Sequence, residues 1–224
     1  MSARVFRVFI FLVGLMTGGT LAAEAKGTAP MLIEATIAGD IAQIKAAIAS
    51  GADLEQRDAK GRTALLIATH ADNPEAAKLL IAAGADVNAK DDILDTPFLY
   101  AGAEGRDDIL KAILATGKAN LKDTNRFGGT ALIPAADHGF PETVRILLGT
   151  GINIDHVNNL GWTALMEAVI LGDGGPVQQE IVALLVDAGA RDIPDHDGVS
   201  ALQHARKRGY AAIVERITEG RRPL

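Results

Sequence analysis

Apolar residues return along the chain at helical spacing in short runs, of which Ile109, Leu110, Ile113 and Leu114 form one and the stretch Glu180-Ile181-Val182-Ala183-Leu184-Leu185 another. Each run is one of a pair. Ahead of the pair stands a Thr or Ser followed by small and aliphatic residues, placed where a side-chain oxygen caps the free N–H groups of a first helical turn. A glycine (Gly39, Gly105, Gly139, Gly172, Gly209) marks the corner between the two helices of a pair. A second glycine closes the pair, suited to a left-handed C-cap. The pattern predicts two short helices, a corner, a turn, and then the same again.

The punctuation repeats in step. Gly-Arg-Thr-Ala-Leu at 61–65 returns as Asp-Thr-Pro-Phe at 95–98, Gly-Gly-Thr-Ala-Leu at 128–132 and Gly-Trp-Thr-Ala-Leu at 161–165, with a fainter Gly-Val-Ser-Ala-Leu at 198–202. Between these lie Gly51-Ala52-Asp53, Gly84-Ala85-Asp86, Gly117, Gly151 and Gly189-Ala190. Two markers recurring together, about 33 residues apart, define an array of stacked units. One unit has too little apolar surface to fold alone, and abundant alanine lets neighbouring units approach closely.

These motifs resemble the ankyrin repeat. Gly84-Ala85-Asp86-Val87-Asn88 reproduces that family's closing segment and 180–185 its second helix, and the register runs from about Pro30 to Ile217. The resemblance implies an all-α solenoid of about six helix-turn-helix units joined by short β-hairpin loops. The units fall at about 30–57, 58–90, 91–123, 124–157, 158–194 and 195–219, followed by a tail at 220–224. Two departures stand out: the family's His is replaced by Leu66, Leu99, Ile133, Met166 and Gln203, and Leu94 occupies a turn position where Gly is usual. Gln43 in the first unit and Thr218 in the last replace aliphatic residues of interior units, as soluble end caps require.

The first 25 residues break the pattern. Arg4 and Arg7 precede an apolar run from Val8 to Met16 and then Ala23-Glu24-Ala25, the order of a secretory signal with its processing site. Cleavage after Ala25 leaves a short linker at 26–29, and a cut after Ala22, with Thr20 at the third position before it, is the alternative. The run is shorter than the roughly 20 apolar residues of a membrane span. The expectation is therefore a periplasmic protein with no stable membrane insertion, the alternatives being full secretion or an uncleaved leader acting as anchor. With no cysteine, neither a disulfide nor an N-terminal lipidated Cys contributes, and a bacterial periplasm fits better than a disulfide-dense secreted domain. A formal net charge of −6 argues against nonspecific nucleic-acid binding, although Arg206-Lys207-Arg208, Arg216, Arg221 and Arg222 gather at the C-terminal end, where they read as a solvated cap face.

The resemblance places partner-facing positions on the turns and first helices. These include Lys60, Arg62 and His70; Ile93, Asp95 and Glu104; Arg126, Phe127, Asp137 and His138; Asn159, Leu160, Trp162, Ile170 and Leu171; and His196, Lys207 and Arg208. Ile93, Phe127, Leu160, Trp162, Ile170 and Leu171 make an apolar run, bordered by Arg126 and Asn159, with the character of a binding hot spot. The competing reading has Phe127 and Trp162 folded back onto neighbouring turns, since Trp is seldom left fully exposed. The fifth corner, Gly172 to Gln179, is about five residues longer than the others, and such insertions collect on one face of an array.

Signatures of catalysis are sparse. The sequence contains no Gly-x-Gly-x-x-Gly, phosphate loop or nucleophile elbow. Asp155 with His156 and Asp195-His196-Asp197 on the next turn offer imidazole and carboxylate, but their spacing is not diagnostic and they read as solvated turn residues. His70, His138 and His204 read as surface or hydrogen-bonded residues. The expectation is a monomeric module that binds a protein partner, with no catalytic, cofactor or metal residue. An accessory or stress-protective factor that shields an enzyme or holds unfolded clients is the alternative.

Overall fold

The computed structural model describes residues 31–220. The leader and linker and the residues from Arg221 onward lie outside the described residues. Within them run twelve helices in six antiparallel pairs: α1 Leu32–Ile37 with α2 Ile41–Ala49, α3 Ala64–His70 with α4 Pro74–Ala83, and α5 Pro97–Ala103 with α6 Asp107–Ala115. Then follow α7 Leu132–Asp137 with α8 Pro141–Leu148, α9 Ala164–Ile170 with α10 Pro176–Asp187, and α11 Ala201–Arg208 with α12 Ala211–Gly220. The odd-numbered helices stack in one layer and the even-numbered in a second. Helix α12 runs one residue past the boundary expected at 219.

The core runs the length of the array between the layers. Leu65, Phe98, Leu132 and Leu165 from the first layer meet Leu80, Ile109, Leu147 and Leu185 from the second, all essentially inaccessible to water. Truncating any of these aliphatic residues to Ala costs about 2–5 kcal/mol, because the removed methyl groups leave a cavity as well as losing burial. First-layer helices come close through small side chains: a Cβ at Gly102 would lie 2.8 Å from Cβ of Ala131, so Gly102 sets the spacing of α5 and α7.

The expected caps hold in four units. Thr63, Thr96, Thr163 and Ser200 accept from the N–H of Leu66, Leu99, Met166 and Gln203, and Ser200 completes a capping box with Gln203. The fourth unit departs from the expectation. Ile67, Tyr100, Glu167 and His204 each donate their N–H to the cap residue's carbonyl, but the equivalent residue here is Pro134, which has no N–H. The first turn tightens instead, with the Ile133 N–H bonding to the Thr130 carbonyl at 3.1 Å. Helix α7 starts one residue late, and Thr130 Oγ1 is buried with no hydrogen-bond partner. Helix α1 likewise begins after Met31 without a side-chain cap.

The turns between units are closed by side-chain and backbone hydrogen bonds together. Among the described residues one isolated antiparallel bridge, Arg57 with Thr63, flanks the first of the expected hairpin tips. In every tip an Asp or Asn (Asp58, Asp91, Asn125, Asn158, Asp195) accepts through Oδ1 from the N–H groups two and four residues on. The same residue also closes its tip through the backbone, its N–H donating to the carbonyl four residues on and its carbonyl accepting from the N–H three residues on. The fourth position of each tip has positive φ and is Gly in four of them; Leu94 takes φ 68° in the remaining one, against the usual preference of L-residues. Successive tips are tied by Asp92 N–H to the Lys60 carbonyl and Asn159 N–H to the Phe127 carbonyl.

The fifth corner is shorter than expected: it spans 171–175, against 138–140 in the fourth unit, and the residues from Pro176 to Gln179 belong to the start of α10. This corner is stapled down. Tyr210 of the last unit packs over it and donates its hydroxyl to the Gly172 carbonyl at 3.1 Å, while Gln179 Nε2 donates to the Gly174 carbonyl at 2.8 Å. Gly174 is required there twice over: its φ is +73°, and a Cβ would come within 2.5 Å of the Tyr210 ring.

Candidate functional site

The tips of the third to fifth units and helices α5, α7 and α9 enclose a cleft of about 490 Å³ on the first-helix face. Ile93, Phe127 and Leu160 reach it from three successive tips and Leu171 from the end of α9, each about half exposed (48%, 55%, 54% and 51%). Arg126 also lines it, its guanidinium lying 4.6 Å from the centre of the Phe127 ring, a cation–π distance. Trp162 and Ile170 face a neighbouring recess, shared with Leu160 and bordered by His196, His204 and Lys207. Both are partly buried and pack against the core, so the apolar run is divided into two recesses with Leu160 on the ridge between them. Asn159 is exposed, its side chain against Gly128 and its N–H engaged by the Phe127 carbonyl.

Beneath the apolar lips the cleft is acidic. Glu167, projecting from α9, is 6% exposed, and its Oε1 accepts from Asn158 Nδ2 at 2.7 Å. Burial, reinforced by the charge of Asp137, pushes its carboxyl up to about 7, against the hydrogen bond from Asn158 and the pull of His138. Asp137 is itself raised by burial, offset by His138. Asp95 is raised by burial and by the carboxylate of Asp91, with Arg126 opposing at 3.9 Å. Glu104 is the fourth acid on the wall. Among these acids lie His138, whose Nδ1 bonds the Ala103 carbonyl at 2.7 Å, and His70, stacked on Tyr100 with ring centres 3.6 Å apart. Burial, with Arg62 adding to it, lowers the pKa of His70.

Sequence reasoning placed the lips and missed much of the floor. Ile93, Arg126, Phe127, Leu160 and Leu171 meet in one cleft, whereas Trp162 and Ile170 belong to its neighbour. Glu167, Tyr100, Asn158 and Pro134 were not singled out. The available signal was a charged residue, Glu167, at the repeat position occupied by Ile67 in the second unit. The two His-Asp groups considered on the later tips do not converge on one point. Asp155 is held by the Arg191 guanidinium at 2.6 Å, His156 Nε2 by the Gly128 carbonyl at 2.7 Å, and Asp195 by His204 at 3.1 Å. A different group does converge: His70, Asp91 and Asp95.

A double layer of paired helices, punctuated by short closed tips and carrying this cleft on the first-helix face, defines a helical repeat solenoid. The chain belongs to the ankyrin-repeat family: residues 19–91 and 98–197 match the family model described as ankyrin repeats (3 copies). It is 38% identical over 179 residues to the ankyrin repeat protein YahD of Escherichia coli (strain K12), covering 79% of this chain and 89% of that one. Among solved structures it is similar to an ankyrin repeat domain from Acinetobacter baumannii AYE, with 54% identity, a TM-score of 0.82, and coverage of 84% of this chain and 96% of the other. It also resembles the ankyrin repeat protein EF0377, with 40% identity, a TM-score of 0.83, and coverage of 85% and 98%. Ankyrin repeats generally mediate protein–protein interaction and are generally non-enzymatic. No helix among the described residues is long and apolar enough to cross a membrane.

Proposed function

We propose that the chain is an exported bacterial protein that captures a protein partner in the cleft between its third and fifth units, as a monomer and without chemistry of its own. The observation that carries this reading is the cleft itself. Four half-exposed apolar side chains from three consecutive units, Ile93, Phe127, Leu160 and Leu171, surround a floor of titratable groups. An apolar centre bordered by polar residues is the arrangement in which a few side chains supply most of a binding free energy. Export rests on the leader, with Arg4 and Arg7 ahead of the apolar run and Ala23-Glu24-Ala25 behind it.

Two measurements test the reading separately. Mass determination of the chain recovered from the periplasm is expected to show a mature N-terminus after Ala22 or Ala25; recovery of the uncut chain in the cytoplasm refutes export. For binding, Phe127→Ala and Leu160→Asp are expected to abolish saturable capture of one or a few proteins that the wild-type chain retains. Weak, promiscuous retention unaffected by either change favours a holding factor over a dedicated binding module.

A further inference from the structure

His70 closes α3, and the next tip brings Asp91 and Asp95 against it. One ligand-capable atom from each of the three side chains falls within 4.8 Å of the others. Nε2 of His70 is shut off from solvent, yet it has no hydrogen-bond partner. A buried ring nitrogen left unsatisfied is costly, and native structures rarely keep one without a function. The ring cannot turn away easily, because it is stacked on Tyr100 at 3.6 Å. Asp91 is 7% exposed, and its Oδ1 is spent on the N–H groups of Ile93 and Asp95, leaving Oδ2.

We propose that His70, Asp91 and Asp95 form a binding site for one transition-metal dication of the Zn²⁺ or Co²⁺ class at the edge of the cleft. Three features that are separately unfavourable are relieved together by such an ion: the orphaned Nε2, the mutual repulsion of two adjacent carboxylates, and the burial of Asp91. One imidazole and two carboxylates suit a borderline dication better than Mg²⁺ or Ca²⁺, which take all-oxygen sets. Three protein ligands also leave a coordination position open. His70 and Asp95 both line the cleft, which places the site at its edge.

The surrounding charges set a second expectation. Arg62 is engaged by Asp58 at 2.6 Å, but Arg126 lies 3.9 Å from Asp95 Oδ2 and competes for the same carboxylate. Removing that guanidinium frees a ligand. Lys60 and Glu104 also face His70, with opposite charge.

The test is titration of the untagged, chelator-stripped full chain with ZnCl₂ by calorimetry and with CoCl₂ by visible absorption. About one equivalent is expected per chain, with Mg²⁺ and Ca²⁺ much weaker. His70→Ala and Asp91→Asn are expected to weaken Zn²⁺ binding by at least about ten-fold, since losing even an outer-shell partner costs about 10–100-fold. Asp91→Asn keeps the turn intact, because Asn125 and Asn158 close the equivalent tips with the same two hydrogen bonds. Arg126→Gln is expected to tighten binding. Uptake well below one equivalent, or wild-type affinity retained in both His70→Ala and Asp91→Asn, overturns the proposal.

Discussion

Asn158 ties the fifth tip to the buried carboxyl of Glu167: Nδ2 donates to Oε1 at 2.7 Å, while its own Oδ1 accepts from the N–H groups of Leu160 and Trp162. A single side chain thereby fixes the turn that carries two of the apolar positions and satisfies the most deeply buried acid of the cleft. Glu167 binds its proton more tightly in the folded chain than in the unfolded one, because its pKa rises from the usual carboxylate value to about 7. Below the unfolded value both states are protonated and the residue is neutral in its effect. As pH climbs from there to about 7 the unfolded chain ionises first, so stability falls, and above that the penalty is complete. Glu167→Gln keeps an acceptor for Asn158 and removes the titration. It is expected to stabilise the chain by on the order of 1–3 kcal/mol at pH 8 and by little at pH 4, measured by urea denaturation at both values.

Pro134 and Thr130 make the fourth unit the weakest-capped of the interior ones. Pro134→Ala restores an N–H that can bond the Thr130 carbonyl and lets Thr130 Oγ1 cap the helix, at the expense of greater freedom in the unfolded chain. The net expectation is a gain of about 1 kcal/mol in denaturant unfolding, which combined with Thr130→Ala shrinks toward zero.

Leu94 holds positive φ without glycine's freedom and is 47% exposed, so its side chain contributes little burial in return. Leu94→Gly is expected to raise stability by about 1 kcal/mol, the size of the left-handed penalty less the entropy a glycine adds to the unfolded chain. A thermal melt of the two proteins checks it. The equivalent exchange in the opposite direction, Gly128→Leu, is expected to destabilise.

Much of this architecture was legible in the chain. The caps at Thr63, Thr96, Thr163 and Ser200 follow from local chemistry alone, because an N-cap acts within one turn. The tips were legible as turns, but the Asp or Asn oxygen that closes each of them beside its backbone hydrogen bonds was not. Pro134 was visible, yet a repeat register treats Thr130-Ala131-Leu132 as equivalent to its neighbours and so hides a missing N–H. The floor of the cleft was hidden for a different reason. Glu167 is buried by the tip that begins with Asn158, and His70 meets Asp91 and Asp95 only through the stacking of one unit on the next. Spacing along the chain carries no record of such encounters.

Trp162 and Phe127 sit on successive tips but in different surroundings. Trp162 is partly buried against the core, whereas Phe127 is 55% exposed beneath the Arg126 guanidinium. Trp162→Ala is expected to cost about 2 kcal/mol of stability, a partial version of the loss from a buried aromatic. Phe127→Ala is expected to stay within about 0.5 kcal/mol of the wild type. Calorimetric melts separate the two, and identical destabilisation contradicts the assignment of Phe127 to a free surface.

The most direct test of the cleft as a partner site is a photocrosslinking residue placed at Phe127, with a second at Lys78, which is exposed on α4 in the other helical layer. Irradiation of intact bacteria and mass identification of adducts is predicted to give one discrete protein partner from position 127, lost when Leu160→Asp is added, and none from position 78. The same set of adducts from both positions, or none from either, contradicts the account.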